Sequence, residues 1–433
     1  MTVFVPALVV ALSAAPAETS QTLSLVDATR AAMEHNPELA ESSSAVRAAE
    51  ASIRSAGSLP EPMLSYQAWQ QPLSRPFDPS ATNMHMIGIR QSLPFPGQRG
   101  IAERAARSES VARGYDLRAR RLAIQAQVAH AYVAWWRARE ELRVHLEHMK
   151  LAERTLAGVE ARYTTGGGRQ GDILRAQTDL HRLHADIAGI QEGLRSSEGL
   201  LAATMGAPED SLPQPVRPEV SDTLRASEVL IAAAAAPNRS ERVTEQVVVE
   251  GSAGERPEVA AAQARAQGAA TSARLADRAR RAPDLMVGFD YMLMPGFPDA
   301  YSVMLQVGLP WFSSRRAAET DRAAAEAQQA RDAAAGTANA ARYERVEARA
   351  RAQAAKAQLA VLEDDVVPRA DRTLQALRAS YASGDTDLVT LIDAESALLD
   401  SRLGAGRQHA ALADAAADLR RALGIDLLEQ VKP

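Results

Sequence analysis

The sequence predicts a mainly α fold with a membrane β part: two copies of a long helical hairpin, each preceded by a β-hairpin, on one chain of 433 residues. Three observations carry that reading. Proline is absent from Gly97 to Ala207 and again from Arg369 to Lys432, which leaves room for helices far longer than globular ones. Landmarks of the first half return in the second at an almost constant offset. Two short regions, finally, switch from helical spacing to strict alternation and gather the aromatics.

Composition narrows the function classes. Lys and Arg number 49 against 54 Asp and Glu, a net charge of −5, so the drive for general nucleic-acid binding is missing. The absence of cysteine excludes disulfides, thiolate metal sites, cysteine nucleophiles and a lipid-modified N-terminal cysteine. Residues 1–17 read as a secretory signal, an apolar run ending in the small-x-small pattern Ala15-Pro16-Ala17, although no Lys or Arg precedes Arg30. After residue 17 no apolar run is long enough for a transmembrane helix.

The first repeat is expected over 18–205. In it Leu142, His145, Met149, Ala152, Leu156, Val159 and Tyr163 step by three and four, the seam of a packed coiled coil. A helix from Gln98 to Tyr163 would run about 100 Å. It breaks at Gly166-Gly-Gly-Arg-Gln-Gly171 and resumes with Ile173, Gln177, Leu180, His184, Ile187, Gln191 and Leu194, so 98–205 is one long hairpin with a glycine tip. A connector is expected over 206–255, a second repeat over 256–425 with its helical hairpin at 313–424, and a tail at 426–433. The duplication rests on ordered anchors: Tyr163-Thr-Thr-Gly166 returns as Tyr381-Ala-Ser-Gly384, Pro37-Glu38 as Pro257-Glu258, and Leu93-Pro-Phe95 as Leu309-Pro-Trp311.

Each repeat also holds a β-hairpin, at 63–93 and 285–309. In the second, Leu285, Val287, Phe289, Tyr291 and Leu293 alternate with smaller or polar residues, and Tyr301, Val303, Leu305, Val307 and Leu309 do so after the turn. The first is weaker, with Leu64, Tyr66 and Ala68 facing Ile87, Ile89 and Leu93. Ten of the 18 aromatics fall in residues 63–95 and 285–312, the hairpins and their immediate flanks, as in the girdles of a membrane barrel. Four strands cannot close a barrel, and lipid does not tolerate open sheet edges, so the barrel must be shared between protomers. Two soluble hairpins are the plain alternative.

At this point the chain resembles the TolC-like outer membrane factors of bacterial efflux systems. The resemblance rests on the duplicated plan together with Gln91-Ser-Leu-Pro-Phe-Pro-Gly-Gln-Arg99, Tyr163-x-x-Gly166 with Asp172-Ile-Leu-x-Ala176, and Pro368 followed by Tyr381-x-x-Gly384 and Leu391-Ile-Asp393-Ala394. It implies a homotrimer whose twelve strands form one barrel in outer membrane lipid and whose helices form a trimeric α-barrel tunnel in the periplasm. It also implies a periplasmic adaptor (membrane fusion protein) and an inner-membrane pump as partners. The function implied is the exit duct of a tripartite efflux pump in a Gram-negative bacterium, with no cofactor of its own. A soluble periplasmic coiled-coil adaptor or scaffold would use the same helices, but not the aromatic-flanked hairpins.

Site residues follow from the resemblance residue by residue. Tyr163, Gly166, Tyr381 and Gly384 match the tips that meet the adaptor. Asp393 matches one inward acidic gate position, and the other is Thr390. Asp172 and Tyr381 match a pair that ties hairpins in the closed state, while the arginine of a second tie is replaced by Thr386. A plain helix-start role for Asp393 competes with the gate role. His145-x-x-His148 and His181-x-x-His184 lie on the two arms of one hairpin, with His148 and His184 as candidate metal ligands, and Met84-His85-Met86 adds soft groups. Seam or surface histidines without a ligand are the plainer reading. The Pro-Phe-Pro-Gly-Gln-Arg stretch resembles the heavy-metal (CzcC/CusC-like) branch. An enzyme is disfavoured: Asp364-Asp365 and the scattered Glu residues lie on charged helix faces, and no nucleophile or nucleotide-binding motif occurs.

Overall fold

A computed structural model describes residues 22–206, 214–215, 256–312 and 314–428. The expected signal segment and most of the expected connector lie outside the described residues. Two units divide the chain. One comprises Met1–His35, Gln127–Ala226 and Ala354–Asp414, the other Asn36–Ala126, Ser227–Gln353 and Ala415–Pro433.

The helices are α1 (Leu25–His35), α2 (Pro37–Gly57), α3 (Gln98–Thr164), α4 (Gln170–Met205), α5 (Pro257–Arg281), α6 (Ser314–Val361), α7 (Val367–Ser383) and α8 (Leu388–Leu423). At 67 residues α3 is about 100 Å long. Alanine, arginine and glutamate sustain such lengths. They lose little side-chain freedom in a helix, and pairs such as Arg143–Glu147 and Arg369–Asp365 sit four residues apart on exposed faces. Proline marks the starts. Asn36 caps α2 by accepting from the Glu38 amide at 2.9 Å with Pro37 in the first turn, and Pro257 likewise stands in the first turn of α5, where Arg256 makes no side-chain cap.

Expectation and structure differ at three places along these helices. The first arm of the second hairpin is not one helix: a π turn at Leu362–Val366 separates α6 from α7. Pro368 has no amide to give to the carbonyl four residues back, and the widened turn just before it absorbs the mismatch. On α4 the buried stripe runs through Ala176, Leu183, Ile187, Leu201 and Met205, so His184 and Gln191 face solvent rather than the seam. Leucine and isoleucine gain from burial, whereas an imidazole or an amide there would lose hydration without a partner. The expected tail begins tied down. Asp426 accepts from Gln125 at 2.7 Å and pairs with Arg121, and Gln125 in turn accepts from the Leu427 amide; residues 429–433 lie outside the described residues.

In the first unit, strands β1 (Thr22–Leu23) and β4 (Gln214–Pro215) pair in parallel, and the buried Tyr132 hydroxyl donates to the Leu23 carbonyl at 2.7 Å. Trp135 packs edge-on against Tyr132, and its indole donates to Glu198. Beneath the two glycine turns, Val159, Ala176, Leu374, Leu388, Leu391, Ile392, Ala394 and Leu398 form one core drawn from α3, α4, α7 and α8. Full burial of each of its leucines is worth about 1.5–3 kcal/mol.

In the second unit, strands β2 (Met63–Trp69), β3 (Met84–Leu93), β5 (Leu285–Leu293) and β6 (Ala300–Val307) form an antiparallel sheet in the order β2-β3-β5-β6. The two β-hairpins, about 200 residues apart in sequence, are joined edge to edge by β3 and β5, with Ile89 opposite Phe289. The sheet does not close. β2 and β6 each have a single neighbour.

Candidate functional site

Alternation divides the sheet into two unlike faces. Leu64, Tyr66, Ile89, Phe289, Tyr301 and Val303 share one of them, and all are exposed. Its aromatics pair across strands, Phe289 stacking on Tyr301 and Tyr66 on His85. An exposed apolar face of this extent is unfavourable in water and suits lipid. Across the opposite face runs a polar row, Ser65, Gly88, Asp290 and Ser302. Asp290 is 5% exposed, lies 3.5 Å from Arg90 and accepts from the Ser302 hydroxyl at 3.4 Å. Its carboxylate fills the space a side chain on Gly88 would need: a Cβ there would stand 1.9 Å from Oδ1.

The two glycine turns share one geometry. Gly166 has φ +80° and Gly384 φ +92°. The Gly167 amide donates to the Arg162 carbonyl and the Asp385 amide to the Ser380 carbonyl, with further bonds from Gly166 to Tyr163 and from Gly384 to Tyr381. Both are left-handed helix caps that only glycine adopts without strain. Their surroundings differ. Tyr163 is exposed at its tip, whereas Tyr381 lies under Arg162, whose guanidinium carbon is 5.1 Å from the ring centroid. Arg162 also donates to the Tyr381 carbonyl at 2.7 Å. Burial pushes the Tyr381 hydroxyl up; the Arg162 charge opposes this and the Asp172 charge adds to it.

Tyr381, expected to tie to Asp172, is instead contacted by a guanidinium from the other hairpin, that of Arg162. At the start of α8, Asp387 is the capping residue: it accepts from the Thr390 amide at 2.9 Å and from its hydroxyl at 2.6 Å, and the Thr390 hydroxyl holds its carboxyl below the usual range. Thr390 thus belongs to the cap. Asp393 is exposed one turn further along, and the capping role that competed with its gate role is filled by Asp387.

Below Asp393, Glu395 is 1% exposed. It accepts from the Thr155 hydroxyl at 2.8 Å, and Arg378 approaches to 3.6 Å. Burial raises its pKa, Thr155 and Arg378 work against that rise, and Asp179 adds to it. Four helices converge on this carboxyl, through Thr155 of α3, Asp179 of α4, Arg378 of α7 and Glu395 itself on α8. His148 is buried and its pKa is lowered, mainly by burial. His145 is buried as well and hydrogen-bonds the Glu141 carbonyl, while His184 is exposed against the Leu180 carbonyl. Among the described residues no group of three or more His, Asp or Glu side chains could hold a metal ion.

Sequence reasoning missed Arg162 and Glu395. For Arg162 a signal exists, since the repeat offset aligns it with Ser380, and a charged residue at only one of two matching positions marks an asymmetric contact. Glu395 gave none, because it stands among ordinary helical glutamates and its partner Thr155 is 240 residues away.

An open antiparallel sheet with a lipid-type face, carried on a chain of long paired helices, defines the protomer of a membrane channel that is part β-barrel and part helical tunnel. The chain belongs to the outer membrane efflux protein family, whose model matches residues 28–207 and 248–425. No curated protein sequence matches it significantly. Among solved structures it is similar to the outer membrane protein VceC of Vibrio cholerae, at 22% identity and TM-score 0.73 over 92% of this chain and 96% of that one. It is likewise similar to the MtrE outer membrane channel of Neisseria gonorrhoeae in an open state (19%, 0.73, 94% and 91%) and to CusC, described as forming a transmembrane channel (20%, 0.75, 93% and 92%). These likenesses establish the fold, and with the family they place the chain in the outer membrane as an efflux channel protein.

Proposed function

We propose that three copies of the chain assemble into the exit duct of a tripartite efflux pump, a passive conduit without catalytic chemistry of its own. The observation that carries this reading is the open sheet, with its apolar exposed face and two unpaired edges. Three such sheets joined β6 to β2 give twelve strands, satisfy every edge and put the apolar face against lipid. A periplasmic adaptor docks on the glycine tips around Tyr163, Gly166, Tyr381 and Gly384, and an inner-membrane pump supplies the energy. Asp393, three times around the narrow opening, favours cations, heavy-metal cations among them. Arg162, Asp172 and Tyr381 hold the hairpins closed. A soluble adaptor or scaffold has no use for the sheet's exposed face.

Extraction from membranes, crosslinking in detergent and conductance in planar bilayers test the assembly together. The expected result is a detergent-dependent trimer that conducts. A stable monomer in detergent-free buffer overturns the duct.

A further inference from the structure

The strand register sorts methionine onto one face of the sheet. Met63, Met84, Met86, Met286, Met292 and Met304 all lie on the face of Asp290 and Arg90, and none lies on the apolar face of Ile89 and Phe289. They are six of the chain's 11 methionines. An apolar residue placed merely to meet lipid belongs on the other face, where leucine, isoleucine, valine and aromatics occupy the positions. Nor are these side chains sealed core fillers, since Met63 is exposed and the other five keep part of their surface.

With no cysteine in the chain, thioethers are its only sulfur. Met86 and Met292 are direct cross-strand partners, which brings their Cβ atoms to about 5 Å, and Met84 follows two residues along β3 on the same face. Successive rows are about 7 Å apart. Beyond the Asp290 row the Met304 methyl lies over Gly288 beside Arg90, and Met286 follows one row further. Asp290 is engaged by Arg90 and Ser302, and Gln67 stands opposite Met86, so the donors around Met86 and Met292 are thioethers and one neutral amide. Neutral sulfur donors select soft cations over sodium, magnesium or calcium.

We infer that this face is a thioether track for soft monovalent cations, copper(I) or silver(I), with its best-formed site at Met84, Met86 and Met292. The inference rests on the exit-duct reading, in which this face lines the barrel, and it gives that duct a substrate class. Weak ligation repeated along a wall suits transit, because each step exchanges one thioether for the next.

Silver nitrate is the probe, used on the full-length assembled protein in chloride-free sodium nitrate. Calorimetry in detergent reads binding, and bilayer conductance reads block by silver. Met86→Leu with Met292→Leu keeps volume and removes sulfur. The expected result is silver binding weakened about tenfold or more in the variant, with sodium conductance unchanged and no response to zinc at this site. Wild-type silver affinity in the variant would assign binding to groups such as His85 and overturn the track, as would no silver binding by the native protein. If the double variant fails to assemble, Met292→Leu alone is measured against the same two outcomes. Sodium conductance without silver tests the duct separately, so a silent pore and a sulfur-independent silver site are distinguishable failures.

Discussion

Glu395 is buried between helices, held by Thr155 and Arg378 and opposed by the like charge of Asp179, which makes its charge a matter of stability. Its pKa is raised by burial, so the folded state keeps a proton that the unfolded chain releases at the ordinary glutamate value, about 4.3. Stability is then full below that value and falls as pH rises toward the folded pKa. Glu395→Gln retains an acceptor for Thr155 and cannot ionise. Its melting temperature relative to native protein should therefore rise as pH climbs above the ordinary glutamate value, and parallel profiles would show that Glu395 carries no such penalty. Thr155→Val removes the donor and leaves a buried acceptor unsatisfied, a loss of about 1–3 kcal/mol. His148 acts with the opposite sign. Its lowered pKa means stability is lost as pH falls below the ordinary histidine value, because the unfolded chain takes the proton first. Glu395 did not stand out in the sequence, and His148 stood out only as a candidate metal ligand, since burial comes from partners on other helices and no local spacing encodes it.

Elements were more legible than residues. The helix from Gln98 to the glycine tip, the strands at 285–293 and 300–307, and the proline-led starts at Pro37 and Pro257 follow from local rules: alternation, capping and the missing proline amide. The π turn before Pro368 and the pairing of β3 with β5 do not, because one is a small readjustment within a helical pattern and the other joins segments about 200 residues apart. The asymmetry of the two tips belongs to this scale. Arg162→Ser gives the first tip the residue of the second and frees Tyr381. Raised open probability in bilayers is expected, and unchanged gating would leave Arg162 a purely structural contact. Docking needs a variant that spares the caps, since any side chain at Gly166 or Gly384 is strained by positive φ. Thr165 is exposed beside Gly166, and Thr165→Trp should abolish efflux in cells while trimer in the outer membrane stays at native level. Retained efflux would move the adaptor's contact elsewhere.

For the whole molecule, the proposed duct makes the charge at its entrance the property to test. Asp387 is committed to the cap of α8, and the Thr390 hydroxyl keeps it ionised into the acid range. Asp393 is exposed and is not that cap, and the proposed trimer would set three of its carboxylates around one opening. Like charges at close quarters attract cations and exclude anions, and salt weakens both effects. Asp393→Asn removes the charge at constant shape. Reversal potentials across a potassium chloride gradient should show clear cation preference for native channels and a permeability ratio near unity for the variant. The native preference should also shrink as ionic strength rises. Because Asp387 remains charged in both proteins, a variant that keeps full cation preference would transfer selectivity from Asp393 to the cap carboxylate, and the double variant with Asp387→Asn would then lose it.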